Sequence, residues 1–168
     1  MVVHVSMADP ICPRLSGMAA VAAEMAGATI HRGGTYLAME GPQFSTRAES
    51  NRYRQWGCDV IGMTAMPEAK LAREAELPYA LIAMVTDYDC WRDGLEAVDV
   101  AQVLRQVEAN AAMARATVLK LLQALPARRE ASPIDTCLDK ALITDPAARD
   151  PTPSAKLDAV AGRVLNKT

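Results

Sequence analysis

The stretch LPYALIAMVTDYD, residues 77–89, constrains the fold of this chain more than any other part of it. A short apolar run that is bounded by Pro78 and rich in Ala, Ile, Leu and Val is typical of a strand buried on both faces, as in the parallel sheet of an α/β protein. Two acidic residues, Asp87 and Asp89, follow at its carboxyl end. Open α/β sheets bind ligands beyond the carboxyl ends of their strands, so the pattern predicts a polar ligand site there.

The preceding stretch completes a predicted βαβ unit. CDVIGMT, residues 58–64, is another short apolar run, and the sequence after it predicts a helix with Pro67 and Glu68 in its first turn. A right-handed crossover would bring the ends of the two strands to the same edge of the sheet. Thr64 would then lie near a helix amino terminus, where backbone amides attract an anion such as phosphate.

Composition and charge exclude several classes of function. The chain has 168 residues, and its 51% hydrophobic and 23% charged content is ordinary for one globular domain. A formal net charge of −2 gives no basic surface for nucleic acid. No apolar run reaches the roughly 18 residues of a membrane span, and the first residues lack the pattern of a signal peptide. The predicted location is therefore cytoplasmic, without a nucleic-acid or membrane partner.

The cysteines and histidines do not predict a metal site. The four cysteines are far apart and form no C-x-x-C pair, which indicates reduced thiols. The two histidines, His4 and His31, are too few for a histidine-based centre without help from carboxylates. His4 lies within an apolar strand pattern, where a histidine is more often structural than a ligand. Neither a metal nor an organic cofactor is predicted.

The remaining patterns alternate between helix and strand, as in an α/β protein with a mixed, parallel-rich sheet flanked by helices. Helices are predicted over residues 14–26, 47–56 and 99–125, and short strands over residues 2–7, 28–31 and 35–40. Ser45 or Thr46 is the expected cap of the second helix, and Asp99 that of the third. Residues 1–125 are interpreted as one domain. Prolines punctuate residues 126–168, which we interpret as an appended tail without a core of its own and with a short helix over residues 156–164.

Each candidate site residue also has an ordinary structural interpretation. The two acids after the apolar run, Asp87 and Asp89, could simply close an Asx-type turn. Met63 and Thr64 could be a core methionine followed by a capping threonine. Phe44 is the only phenylalanine and lies on a Gly-Pro loop, either as a lid over an aromatic ligand or as a packing residue. Its position on a loop favours the lid.

Three motifs together resemble a known family. They are EGPQFSTRAES at residues 40–50, the run from WGCDVIGMT to LAREAEL at residues 56–77, and AMVTDYDCW at residues 83–91. The chain resembles the S-methyl-5′-thioadenosine phosphorylases of the purine nucleoside phosphorylase superfamily over residues 2–122. The resemblance implies a nucleoside phosphorylase-like fold and a pentosyltransferase activity. In that activity, phosphate as co-substrate converts methylthioadenosine into adenine and 5-methylthioribose 1-phosphate, in purine and methionine salvage.

The resemblance also assigns the base-recognition roles. Cleavage of a glycosidic bond leaves positive charge on the sugar and negative charge on the purine, so the departing base must be protonated. By resemblance, Asp87 supplies this proton as the catalytic acid, and Asp89 accepts a hydrogen bond from the 6-amino group of adenine. Relatives that act on 6-oxopurines tend to have Asn at the position of Asp87 and Glu at that of Ser45. A carboxylate is repelled by a carbonyl oxygen, so the pair found here favours 6-aminopurines.

The other substrate contacts are implied in the same way. Phe44, Ser45 and Tyr88 belong to the base pocket, Met63 contacts the ribose, and Thr64 binds phosphate. Three positions match the apolar wall around the 5′ group: Val100, Val103 and Leu104. An apolar wall suits a methylthio group better than a hydroxyl group.

Quaternary structure and chain length follow from the same family. His4 matches a histidine that reaches the 5′ pocket of the neighbouring subunit in family trimers, so we expect a homotrimer. Family members are typically longer, with an amino-terminal half that carries a Gly-rich loop, an Arg-His pair and a Thr of the phosphate site. The chain lacks these motifs, and we expect it to be the carboxyl-terminal portion, with exposed strand edges and weak activity alone. A non-catalytic purine-binding remnant and a purine nucleoside phosphorylase of other base preference stay open as alternatives.

Overall fold

The computed structural model of the chain describes residues 1–92 and 104–166 in full and residues 100–103 by their backbone. It is an α/β structure in which helices flank a small parallel sheet, as predicted. The elements in chain order are α1 (Pro13–Met25), β1 (Tyr36–Ala38), α2 (Arg47–Gln55), β2 (Val60–Gly62), α3 (Ala65–Glu74), α4 (Val100–Ala124), α5 (Pro151–Lys156) and α6 (Asp158–Leu165). Short 3₁₀ turns span Pro133–Thr136 and Pro146–Ala148.

The chain divides into two compact units. The first unit consists of Met1–Leu15, Met66–Ala80 and Ala127–Thr168. The second unit consists of Ser16–Ala65 and Leu81–Pro126, and it contains both strands and the predicted acidic segment.

The sheet of the second unit is a βαβ arrangement of β1, α2 and β2. The strands run parallel, with Tyr36 opposite Val60 and Ala38 opposite Gly62. The helix between them begins at a capping box, because Thr46 Oγ1 accepts the N–H of Glu49 while the Glu49 carboxylate accepts the N–H of Thr46 at 2.7 Å. Of the two caps that the sequence allowed, the structure uses Thr46.

Three predicted strands are wrong. Residues 77–89 and 28–31 have no strand, and residues 2–7 contribute only one antiparallel bridge, between Val3 and Leu142. The run at residues 77–89 is not buried on both faces either, since Leu77 and Val85 are 58% and 59% exposed. A strand also needs a neighbour that completes its hydrogen-bond ladder. Residues 81–84 line a common cavity with the end of β2 and do not share a ladder with it.

The long helices match their predicted positions. α1 buries Ala19, Ala22 and Ala23, and the chain leaves it through Gly27, whose φ of 88° suits a glycine. α4 covers the predicted span, while its predicted cap, Asp99, lies outside the described residues. Even α4 is not apolar enough to cross a membrane, and the same holds for every other helix within the described ranges.

Residues 127–168 contribute a buried cluster to the first unit, and their interpretation as an appended tail stays a prediction. Leu138, Ala141 and Val164 are buried, and Val5 packs against them. An ion pair joins Arg163 on α6 to Glu76, and the Glu76 carboxylate also accepts the N–H of Leu138 at 3.0 Å. Periodicity alone misses these contacts, because they depend on partners far away along the chain. The predicted helix over residues 156–164 is replaced by α5 and α6. The domain boundary at residue 125 stays a prediction.

Candidate functional site

The segment TDYDCW, residues 86–91, forms a tight turn around its two acids. The N–H of Asp89 donates to Asp87 Oδ1 at 2.8 Å, and the Thr86 hydroxyl donates to Asp87 Oδ2 at 2.7 Å. Asp89 has a φ of 60°, a left-handed conformation that Asp tolerates better than most residues. The Asx-type turn that the sequence allowed is therefore present. Asp87 stays exposed, so the same geometry leaves its carboxyl group accessible to a ligand.

The carboxylate of Asp89 is held from both sides. Its Oδ2 accepts the hydroxyl of Ser50 at 2.7 Å, and its Oδ1 accepts the N–H of Cys90 at 2.7 Å. Ser50 is only 2% exposed, whereas Asp89 is half-buried. The sequence predicts no role for Ser50. Its only signal is a small hydroxyl residue in a helix whose other residues are mostly larger polar or charged ones.

Cys90 connects the acidic turn to the loop before α2. Its Sγ donates to the carbonyl oxygen of Ser45 at 3.4 Å, so Ser45 lies beside the turn as the resemblance implied. Burial and, next, the charge of Asp89 raise the pKa of the Cys90 thiol. The neighbouring Phe44 is 83% exposed and is not among the residues that line the cavity beside β2.

A cavity of about 330 Å³ lies at the carboxyl end of β2. Its lining includes Met63 and Thr64, which the sequence analysis placed at ribose and phosphate, and also Tyr36, which it missed. The remaining lining residues are Ile61, Gly62, Leu81, Ile82, Ala83 and Met84. Gly41, with a φ of 70°, sits so close to Met63 that an added Cβ would lie 2.6 Å from its sulfur. A side chain at position 41 would therefore displace Met63.

The predicted helix-terminus position of Thr64 needs a correction. Met66, inside α3, has extended backbone angles (φ −117°, ψ 132°), so the regular turns begin only at Pro67. Ala65 and Met66 therefore separate Thr64 from the first regular turn. The amides of that turn are farther along the chain from Thr64 than a capping position would place them.

Aromatic and basic side chains support the acidic turn. The Trp91 ring lies under the guanidinium group of Arg54 on α2, with 3.7 Å between the ring centroid and the guanidinium carbon. Tyr88 meets the edge of Trp91 at 6.3 Å between centroids and is covered by Arg92 at 4.4 Å. Tyr88 stays 61% exposed. On the other side, Asn110 of α4 donates to the carbonyl oxygen of Val85 at 2.9 Å, a contact that no local pattern could predict.

The structure does not bring every predicted residue to this turn. His4 belongs to the first unit, where its side chain is exposed. Its backbone N–H donates to the carbonyl oxygen of Ala141 at 2.8 Å. Leu104 on α4 is 58% exposed. The side chains of Val100 and Val103 lie outside the described residues. Within the described part of the chain, no cluster of three or more His, Cys, Asp or Glu residues could hold a metal ion.

Comparison with known proteins identifies relatives over most of the chain. S-methyl-5′-thioadenosine phosphorylases from Cereibacter sphaeroides and Bradyrhizobium diazoefficiens are 57% and 58% identical to the chain over 166 residues, which is 98% of it. The match covers 57% of each relative, so the chain spans little more than half of their length. These relatives confirm the resemblance that the three motifs indicated.

Solved structures give the same result. A methylthioadenosine phosphorylase from an Antarctic soil metagenomic library superposes with a TM-score of 0.86 at 41% identity, covering 95% of this chain and 56% of that chain. The Schistosoma mansoni methylthioadenosine phosphorylase in complex with adenine gives a TM-score of 0.71 at 34% identity, covering 81% and 53%. The nucleoside phosphorylase-like fold is therefore confirmed. The sequence profile of the phosphorylase superfamily matches residues 2–124, and the chain belongs to that superfamily.

Proposed function

We propose that this chain carries the purine-binding part of a phosphorylase that converts S-methyl-5′-thioadenosine and phosphate into adenine and 5-methylthioribose 1-phosphate. The observation that carries the proposal is the acidic turn, in which Asp87 is exposed and Asp89 is held by the buried Ser50. Its support from outside the turn is the 57% identity to a methylthioadenosine phosphorylase. Such a protein would be a cytoplasmic salvage enzyme that needs no metal or organic cofactor.

The proposed reaction requires the acidic turn to protonate the purine and to recognise its 6-amino group. As the C–N glycosidic bond breaks, the bonding electrons move to the purine, while a phosphate oxygen forms the new bond to the sugar carbon. The purine must receive a proton, which we assign to the exposed carboxyl group of Asp87. Asp89 accepts a hydrogen bond from the 6-amino group of the base. A carbonyl at that position would face a carboxylate without a donor, which disfavours 6-oxopurines.

The remaining contacts are proposed around these two acids. Thr64, at the cavity beside β2, binds phosphate, and Met63 in the same cavity contacts the ribose. Phe44, Ser45 and Tyr88 border the base. The apolar positions proposed for the methylthio group are Val100, Val103 and Leu104. His4 contributes to the 5′ pocket of a neighbouring subunit in a homotrimer, which would give a role to a histidine that is exposed here.

A second candidate function is a non-catalytic purine-binding protein. Among the described residues, the hydrogen bonds that hold the acidic turn come from residues such as Ser50 and Cys90 and not from Thr64, so a base could be bound there without a phosphate site. In this case the chain would bind adenine and leave the glycosidic bond intact.

One experiment decides between the two functions. The purified 168-residue chain is incubated with methylthioadenosine with and without phosphate, and adenine release is measured, with adenosine and inosine as further substrates. Phosphate-dependent release supports the phosphorylase. Release that does not need phosphate contradicts phosphorolysis, and adenine binding without release supports the binding protein.

The Asp87→Asn variant tests the base-selecting role. We expect phosphorolytic activity to fall far more on adenine nucleosides than on inosine. If the chain only binds purines, we expect its affinity to fall far more for adenine nucleosides than for inosine. Asp145→Asn is a matched control, because Asp145 Oδ1 accepts the N–H of Ala147 at 2.8 Å in the same kind of turn within the first unit. Equal losses on both bases would contradict the assigned role of Asp87.

A further inference from the structure

Ser50 is a buried polar residue that contacts Asp89 of the proposed base site, and the proposed reaction assigns it no role. It is 2% exposed, and among the described residues only Thr117 is another polar side chain that is buried to this extent. A buried hydroxyl group is costly unless it is hydrogen-bonded. The hydroxyl of Ser50 donates to Asp89 Oδ2 at 2.7 Å, a short hydrogen bond to a charged acceptor.

The geometry fixes the Asp89 carboxylate in one orientation. Among the described residues, its Oδ2 accepts the hydroxyl of Ser50 and its Oδ1 accepts the N–H of Cys90. A carboxylate oxygen has two lone pairs, so each keeps the capacity to accept a further donor. Because both protein partners donate to the carboxylate, its remaining lone pairs are available to accept a hydrogen bond from a ligand.

The hydrogen bond from Ser50 to Asp89 attaches the acidic turn to helix α2. Ser50 and Arg54 are four residues apart and therefore lie on the same face of the helix. Ser50 contacts Asp89, while Arg54 covers Trp91 two residues farther along. The helix itself is anchored by the capping box at Thr46. The acidic turn is thus held by two consecutive turns of one capped helix.

We propose that Ser50 is a positioning residue that orients the Asp89 carboxylate to accept the 6-amino group of a purine. The inference rests on the proposed function for the class of ligand, and it adds a residue that acts through Asp89 without touching the base. Removal of the hydroxyl group leaves Oδ2 without its protein donor and frees the carboxylate to rotate about its Cα–Cβ and Cβ–Cγ bonds. The acceptor for the amino group is then no longer preorganised.

The test compares purine affinities of Ser50 variants by calorimetry, with adenine and hypoxanthine as the ligands. Loss of a hydrogen bond to a charged group predicts that Ser50→Ala binds adenine about tenfold more weakly. Hypoxanthine, which has no 6-amino group, should be affected by less than about threefold. Ser50→Thr retains the hydroxyl group and should keep the adenine preference. Thr117→Val is the matched control, because it removes a hydroxyl group that is equally buried in the same unit.

A merely structural role for Ser50 predicts a different pattern. In that case Ser50→Ala weakens both purines equally, and such a result would overturn the proposal. If Ser50→Ala does not fold, Ser50→Cys serves instead, since a thiol has a similar shape and is only a weak donor. Full retention of the adenine preference in Ser50→Cys would equally overturn the proposal.

A second measurement needs no purine and separates this proposal from the proposed function. Hydrogen exchange of the Cys90 amide in the free protein reports whether Asp89 Oδ1 still holds it. Ser50→Ala should speed this exchange by about tenfold through the loss of one charged hydrogen bond, and Thr117→Val should not change it. Unchanged exchange in Ser50→Ala would overturn the positioning role. A wild-type chain that binds no adenine would instead overturn the proposed function, while the exchange result still decides whether Ser50 fixes Asp89.

Discussion

Arg54 lies over the face of Trp91, with 3.7 Å between the guanidinium carbon and the ring centroid. A cation above an aromatic face is attracted by the negative potential of the ring. The contact joins α2 to the end of the acidic turn, one helical turn beyond the hydrogen bond from Ser50 to Asp89. The position of the proposed base site therefore depends on α2 as much as on the acidic turn.

The first prediction concerns this contact. Arg54→Gln should lower the free energy of unfolding by about 0.5–1 kcal/mol, the range of an exposed cation–π pair. Chemical denaturation followed by circular dichroism measures it. Arg52→Gln is the matched control on the same helix, and its effect should be smaller. An equal effect of the two substitutions would show that the ring contact adds no stability.

The second prediction concerns the capping box of α2. Thr46→Ala removes the side-chain acceptor of the Glu49 N–H and should lower the free energy of unfolding by about 1 kcal/mol. Thermal unfolding measures the loss. Thr29→Ala, an exposed threonine outside any helix, is the control and should change stability little. If Thr46→Ala has no larger effect than Thr29→Ala, the capping box does not anchor the helix.

The third prediction concerns acid stability of the first unit. The Arg129 guanidinium and, next, the N–H of Ser132 lower the pKa of Asp135 from its ordinary value of 3.8 to about 2. A carboxyl group with a lowered folded-state pKa contributes stability that is complete above its unfolded-state pKa and is lost as the pH falls through its folded-state pKa. This contribution should therefore disappear between about pH 4 and about pH 2.

Two substitutions test that contribution. Asp135→Asn removes the titrating group, so stability should fall less steeply than in the wild type between about pH 4 and about pH 2. Arg129→Gln removes the main cause of the shift and should move the acid transition to higher pH. Urea unfolding at a series of pH values measures both effects. An Asp135→Asn profile parallel to that of the wild type would contradict the assignment.

The sequence predicts local elements and motifs better than long-range pairing. The spans of α1, α2 and α4 follow from apolar periodicity and from caps such as Thr46, because helix hydrogen bonds are local. The strand expected at residues 77–89 is not formed, because the partner of a strand cannot be predicted from the residues of that strand alone. The acidic pair is visible as a motif, but Ser50 and Asn110, which hold the segment, come from helices far away along the chain. Their roles depend on tertiary contacts.

The last prediction uses Cys90 as a reporter of the charge on Asp89. Burial is the largest cause of the raised pKa of the Cys90 thiol, and the neighbouring carboxylate is the next. Asp89→Asn removes the charge and keeps an oxygen for the Cys90 N–H, so the pKa of Cys90 should fall while the effect of burial persists. Only the thiolate reacts rapidly with iodoacetamide, so alkylation of the Cys90 peptide between about pH 7 and about pH 10 gives the midpoint by mass spectrometry. The midpoint should move to lower pH in Asp89→Asn and stay in place in Asp87→Asn, whose charge is not among the causes of the shift. An unmoved midpoint in Asp89→Asn would mean that burial alone raises the pKa, and that Asp89 does not carry the charge that acceptance of a 6-amino group requires.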